Sequence, residues 1–178
     1  MRNILRAGLL ICLLGLMTSC GFHLQRATHL AAPLHRMYLK TSDPYGQLAR
    51  SLQQYLKISN VQLVAEPEQA STILSILQDT TAQDLLSVSG TQQTRQYTLK
   101  VTVVFEITTP EGKSLTGPQT LIETRTLTIQ SNQVLGSSNE ANLFYQQMRR
   151  TIAYAILNRI SSNELTHIIE NTQVIKPS

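Results

Sequence analysis

The side chains able to do chemistry in this sequence are few and scattered, with one exception. The four histidines, His23, His29, His35 and His167, form no i, i+4 pair, and three of them crowd near the start of the chain. Asp79 and Asp84 lie five apart in a strand-like segment, a spacing that sends them to opposite faces. Glu66 and Glu68 flank Pro67 in a connecting stretch, the ordinary setting of solvated charge. No Gly-x-Ser-x-Gly, no Ser-x-x-Lys and no glycine-rich phosphate loop occurs. The two cysteines, Cys12 and Cys20, are both accounted for by the start of the chain, which leaves no free cysteine for a zinc site. These patterns lead us to expect no enzyme, no metal and no cofactor.

Cys20 is the exception. Arg2 and Arg6 make a positive start, Ala7 to Met17 an apolar run of 11 residues, and Thr18-Ser19 a small-residue step before the thiol. This is the layout of a secretory signal, and its apolar run is too short to cross a bilayer as a helix. A cleavage site ending in cysteine resembles the bacterial lipobox, with Met17-Thr18-Ser19 a looser version of Leu-Ala-Gly. At such a site the thiol is alkylated by diacylglycerol, the signal is cut, and the new amine takes a further acyl chain of the palmitate kind. Each buried CH₂ contributes about 0.8 kcal/mol, so one chain anchors marginally and two or three anchor stably. Gly21, where an Asp would retain the protein at the inner membrane, sends it by resemblance to the outer membrane, facing the periplasm. A plain secretory signal with an incidental cysteine is the alternative.

Loss of residues 1–19 leaves 159 of the 178, enough for one domain with a sizeable core. The 15 basic and 11 acidic side chains give a formal charge of +4; without Arg2 and Arg6, 13 against 11 leave +2. That is too mild, and too dispersed, for a nucleic-acid partner. Cys12 leaves with the signal and Cys20 goes to lipid, so no disulfide is available.

Residues 20–33 keep no period and read as a tether between lipid and domain; 34–171 read as one α/β domain and 172–178 as a tail. His35 to Thr41 alternates, with Met37 and Leu39 on one side, and predicts a strand. Ser42-Asp43-Pro44 predicts a helix start, Asp43 capping and Pro44 in the first turn. Leu48, Leu52, Tyr55 and Leu56 then share a helix face. Val61 to Val64 is a second strand, and the strand–helix–strand order predicts a parallel pair. Thr72 to Val88 and Gln96 to Ile107 form a hairpin about Gly90. In its second arm Tyr97, Leu99, Val101, Val103, Phe105 and Ile107 make six consecutive hits on one face. Thr120 to Gln130 follows, with Thr124, Thr126 and Thr128 on one side. Ser137 to Glu140 matches a capping box ahead of the stripe Phe144, Met148, Ile152, Ala155, Ile156 and Ile160. After Ser161-Ser162-Asn163 a short helix runs from about Glu164 to Ile169.

These elements predict a two-layer α/β sandwich, a mixed four- to five-stranded sheet with two helices packed on one face. The outward sheet positions are rich in Thr, Gln and Ser. Such a surface suits the polar lining of another protein, for instance a barrel lumen, or simply water.

In order and spacing five segments resemble one family. They are Cys20-Gly21-Phe22-His23-Leu24, MYLKTSDPYGQLARSLQQYLKI from Met37 to Ile58, NVQLV from Asn60 to Val64, QTRQYTLKVTVVFEI from Gln93 to Ile107, and NEANLFYQQMRRTIAYAILNRI from Asn139 to Ile160. Together they resemble the LPS-assembly lipoproteins of Gram-negative outer membranes, the LptE family. The resemblance implies a domain seated as a plug inside the β-barrel of a partner, LptD, assisting its assembly and the delivery of lipopolysaccharide (LPS) to the outer leaflet. It also implies direct binding of LPS, for which Arg and Lys are the natural contacts. The family's basic positions in the hairpin turn and before the last long helix fall here at Gly90 and Ser137, so their roles do not carry over. Arg95, beside that turn, is the basic residue left to take the part. The alternative is a tethered periplasmic ligand-binding or scaffold module of another envelope complex.

Overall fold

The computed structural model describes residues 30–91, 93–130 and 134–174. Cys20, the signal segment and most of the expected tether lie outside the described residues. The packed body takes in Leu30 and Ala31, both buried, a few residues ahead of the boundary expected at 34.

A single 3-10 turn, Ala32–His35, leads into strand β1, Arg36–Lys40. Met37 is fully buried and Leu39 packs beside the core, as their alternation with Tyr38 and Lys40 requires. Helix α1, Gln47–Ile58, begins later than Asp43-Pro44 suggested. Asp-Pro-Tyr-Gly carries the residue preferences of a type I turn, Asp at i, Pro at i+1 and Gly at i+3. It folds as a turn: the Gly46 N–H donates to the Asp43 carbonyl at 3.3 Å, and Gly46 itself caps the helix. A Cβ at Gly46 would meet the Asp43 carboxylate, which would have to swing aside to admit it.

The far end of α1 closes with a Schellman motif. Asn60 takes φ 60°, its N–H donates to the Lys57 carbonyl at 3.1 Å, and the Val61 N–H donates to Leu56 at 3.0 Å. Val61 and Leu56 are both buried in the same cluster, the apolar contact that accompanies this cap. Strand β2, Gln62–Leu63, is shorter than expected and runs parallel to β1, with Met37 opposite Leu63.

Strand β3, Thr72–Val88, is parallel to β1; β4, Thr94–Thr108, and β5, Gln119–Gln130, continue it as an antiparallel meander. The order across the five-stranded sheet is β2-β1-β3-β4-β5. β1 reaches only Ser75 of β3, while β4 follows β3 out to Arg95, so the distal hairpin projects past the parallel end. Bulges sit at Leu77 and Leu86, each between two stretches of unbroken register.

Helix α2, Val134–Ile160, begins ahead of the expected capping box, so Ser137 falls in its first turn instead of at its cap. Ser162 Oγ then accepts the Leu165 N–H at 3.4 Å and starts helix α3, Asn163–Val174. The last helix is therefore twelve residues, a third helix in place of a short appendage. One face of β4, Leu99, Val101, Val103, Phe105 and Ile107, meets Leu52 and Leu56 of α1 and Met148, Ile152, Ile156 and Ile160 of α2 in one cluster.

Among the described residues Phe105 is the largest fully buried side chain, and it lies on that face. Phe105→Ala is expected to cost about 3–5 kcal/mol in urea unfolding with an unchanged m-value. A loss below about 1 kcal/mol would show that the core does not close around it.

Candidate partner-binding face and hairpin tip

Strand pairing fixes which side chains look away from the helices. Thr98 pairs with Thr126 and Asp84, Lys100 with Thr124 and Ala82, Thr102 with Ile122 and Thr80, and Gln96 with Thr128 and Ser87. None of these sits in the core cluster, and the β5 members are exposed. The result is an open sheet face of hydroxyls and amides in cross-strand rows. Threonine serves it twice: its β-branch stiffens χ1 and suits a strand, and its hydroxyl both donates and accepts. Ser87 Oγ donates to Gln96 Oε1 at 2.9 Å within these rows. Lys100, Asp84 and Glu106 are the charged members of the β3 and β4 rows, and they nearly balance.

The opposite face of the distal hairpin is held to α2 by side chains. Asp79 pairs with Val103, hence on the helix side, while Asp84 pairs with Thr98 on the open side, the split their spacing predicts. Arg149 Nε donates to both Asp79 oxygens at 3.0 and 2.8 Å, in a half-buried ion pair. One helical turn earlier, Tyr145 Oη donates to the Ala82 carbonyl at 3.1 Å. Burial raises the Tyr145 pKa above its ordinary 10.0; Arg149 opposes the shift and Asp84 adds to it. On the β5 side Arg125 donates to Gln147 Oε1 at 2.9 Å and lies 6.0 Å from the Phe144 ring centre. The sequence reading missed this clasp, although Tyr145 and Arg149 at i, i+4 with Asp79 on an inward position contained it.

At the tip, the Ser89 N–H donates to the Thr94 carbonyl at 2.9 Å and the Thr94 N–H to Ser89 Oγ at 3.1 Å. A Cβ at Gly90 would meet nothing within 4 Å, so this position takes a side chain freely. Arg95 is exposed and pairs with Val88 and Ile129, which places it on the helix side of the sheet, apart from the threonine rows. Gln130 pairs with Thr94, and α2 begins four residues later, so Ser137 belongs to the same end of the molecule as Gly90 and Arg95. Among the described residues no three His, Cys, Asp or Glu side chains come together, and no helix is long and apolar enough to cross a membrane.

Comparison with known proteins places this geometry. A profile described as LptE, lipopolysaccharide-assembly, matches residues 34–160. The chain belongs to the LptE family. It is 29% identical over 162 residues to the LPS-assembly lipoprotein LptE of Photorhabdus laumondii, covering 88% of this chain and 87% of that one. The protein of the same name from Pectobacterium atrosepticum is 27% identical over 158 residues, with 86% and 85% covered. Among solved structures, the rare lipoprotein B of Shewanella oneidensis superposes with a TM-score of 0.62 at 26% identity, covering 72% of this chain and 96% of that one. Lipoprotein B of Nitrosomonas europaea, 22% identical, shares the fold with a TM-score of 0.64, covering 79% and 90%. Membership makes this chain a lipoprotein of lipopolysaccharide assembly.

The Tyr145 hydroxyl sets an alkaline limit. Because the folded pKa is raised, the stability its neutral form contributes is fully present below pH 10 and is lost as pH climbs through the folded value. The urea midpoint is expected to fall further between pH 9 and 11 in the native protein than in Tyr145→Phe. Parallel curves would remove this residue from the account.

Proposed function

We propose that this chain is an outer-membrane lipoprotein, acylated on Cys20, whose domain stands inside the LptD β-barrel as plug and assembly partner and binds lipopolysaccharide during its export. The observation that carries the reading is the open threonine-rich face. Lumen-facing and lipid-facing side chains alternate along a transmembrane barrel strand, so its interior is polar. A plug therefore needs a rigid surface that hydrogen-bonds in many directions without net charge or a greasy patch. The rows from Thr94 to Thr128 supply this, with Lys100 offset by Asp84 and Glu106.

The lipid on Cys20 supports the same arrangement, since it would hold the domain at the membrane where a barrel opens to the periplasm. Lipopolysaccharide is anionic, and Arg95 offers an exposed guanidinium at the tip where Gly90 and Ser137 lack charge.

Purification in mild detergent tests the plug. A large β-barrel protein should follow the native chain in one-to-one ratio, and the pair Thr98→Glu and Thr126→Glu should lose most of it while the free domain still melts cooperatively. Cys20→Ala should abolish the acyl mass and release the chain from membranes. Barrel recovery undiminished by the double substitution, or a free thiol on a diffusible native species, would sink the reading.

Lipopolysaccharide contact is tested separately. Arg95→Ala should weaken binding about tenfold, the loss of one charge-assisted hydrogen bond. Gly90→Lys should fold normally and tighten it. Unaltered titrations for both would clear the tip of this role.

A further inference from the structure

The sheet has a second recognition surface, at right angles to the open face. β1 pairs with β3 only from Thr72 to Ser75, whereas β4 pairs with β3 to its end. From Ile76 onward, one side of the β3 backbone therefore has no strand beside it among the described residues. Backbone N–H and C=O groups along such an edge are a template for another strand. The bulges at Leu77 and Leu86 bound a regular run of eight residues, Gln78–Leu85, in unbroken register with Val104 to Tyr97. Eight residues span about 26 Å, a common strand length.

This edge keeps two of the usual defences, its bulges and the inward Asp79, and lacks others. Leu77 to Val88 contains no proline and no lysine. Leu77, Leu85, Leu86 and Val88 are 51%, 57%, 59% and 44% exposed, clustered at the two ends of the run. The other long free edge, β5, exposes one large aliphatic side chain, Ile122, and carries Glu123 and Arg125. From α2, the Tyr145 hydroxyl reaches the Ala82 carbonyl of this run and Arg149 reaches the Asp79 carboxylate.

Charge decides the occupant. A second copy pairing antiparallel along this run would bring no basic residue to Asp84, because Leu77 to Val88 contains neither lysine nor arginine. A closed barrel wall has no edge to give. Asp79 is already matched by Arg149, while among the described residues no cation pairs with Asp84. We propose that the Gln78–Leu85 edge of β3 accepts one extended segment of a partner polypeptide as an added strand, aliphatic at alternate positions and basic opposite Asp84. Main-chain hydrogen bonds supply the hold, and the flanking leucines and Asp84 supply selectivity. Asp84 also belongs to the open face, but the backbone groups that would hold the added strand lie along the edge and not on that face.

The test uses the full chain and a ten-residue acetylated peptide alternating Val and Thr, with one central Arg. Amide exchange should slow at Gln78–Leu85 and not along β5. A twin peptide N-methylated at alternate residues should bind at least tenfold more weakly. Tyr145→Phe, which frees the Ala82 carbonyl, should tighten binding several-fold; a purely structural role for Tyr145 would not. Asp84→Lys should reject the Arg peptide and accept one with Glu in its place. Equal binding of the N-methylated twin, protection elsewhere, or no binding up to the solubility limit would overturn the proposal. So would a concentration-dependent dimer protecting the same amides, which would give the edge to a second copy. The same protection from lipopolysaccharide micelles alone would give it to lipid and would equally overturn it.

Discussion

The buried face of β4 is the constraint on which this molecule turns. Leu99, Val101, Val103, Phe105 and Ile107 are each wholly inaccessible, and full burial of such a side chain contributes about 1.5–3 kcal/mol. With no cysteine among the described residues, this row and the two helices above it carry the stability there. Because side chains alternate with a period of two, sealing one face of β4 leaves the other face outward along the whole strand. A slip by one residue would bury Thr98, Lys100 and Thr102 and expose the core. The polar face and the packed face are thus one decision of register.

Unequal strand lengths decide the rest. β1 has five residues and β3 seventeen, so the parallel end of the sheet stops early and the hairpin runs on. Over the projecting part, α2 covers β4 and β5 but reaches β3 only through long side chains. Arg149 and Tyr145, one turn apart, hold Asp79 and the Ala82 carbonyl, so the strand is tied down at points along its length instead of being packed over it. That leaves a tip whose position follows α2 and whose edge stays open.

Alternation made most of this fold legible before any coordinates. The six-residue face of β4, the Thr124–Thr128 side of β5 and the split between Asp79 and Asp84 follow from period two alone. The helix stripes at Leu48–Leu56 and Met148–Ile160 follow from 3.6. What failed was local punctuation. Asp43-Pro44 serves equally as cap or as turn opener, and the Gly46 N–H bond to the Asp43 carbonyl marks the turn. Ser137-x-x-Glu140 has the letters of a capping box, yet α2 starts earlier, at Val134. The clasp was hidden because it joins residues seventy positions apart. Arg95 was found by type and neighbourhood, but which face it takes required its register with Val88 and Ile129.

The absence of a convergent ionisable group among the described residues fits the kind of recognition the surfaces can support. A catalytic centre gathers a few perturbed groups in a cleft and excludes water. Here the functional surfaces are flat or linear, and their polar groups stand in rows at strand spacing. Each such contact exchanges a hydrogen bond with water for one with a partner, a net gain of about 1 kcal/mol or less. No single residue then dominates, and affinity comes from the number of contacts made at once, which rewards a rigid face and a partner of matching curvature. A stiff threonine lattice anchored on an unyielding β4 meets that requirement, and the acyl tether proposed at Cys20 would add to it by holding the two partners at high local concentration. What the fold must preserve is which way each strand faces, more than what any one side chain does.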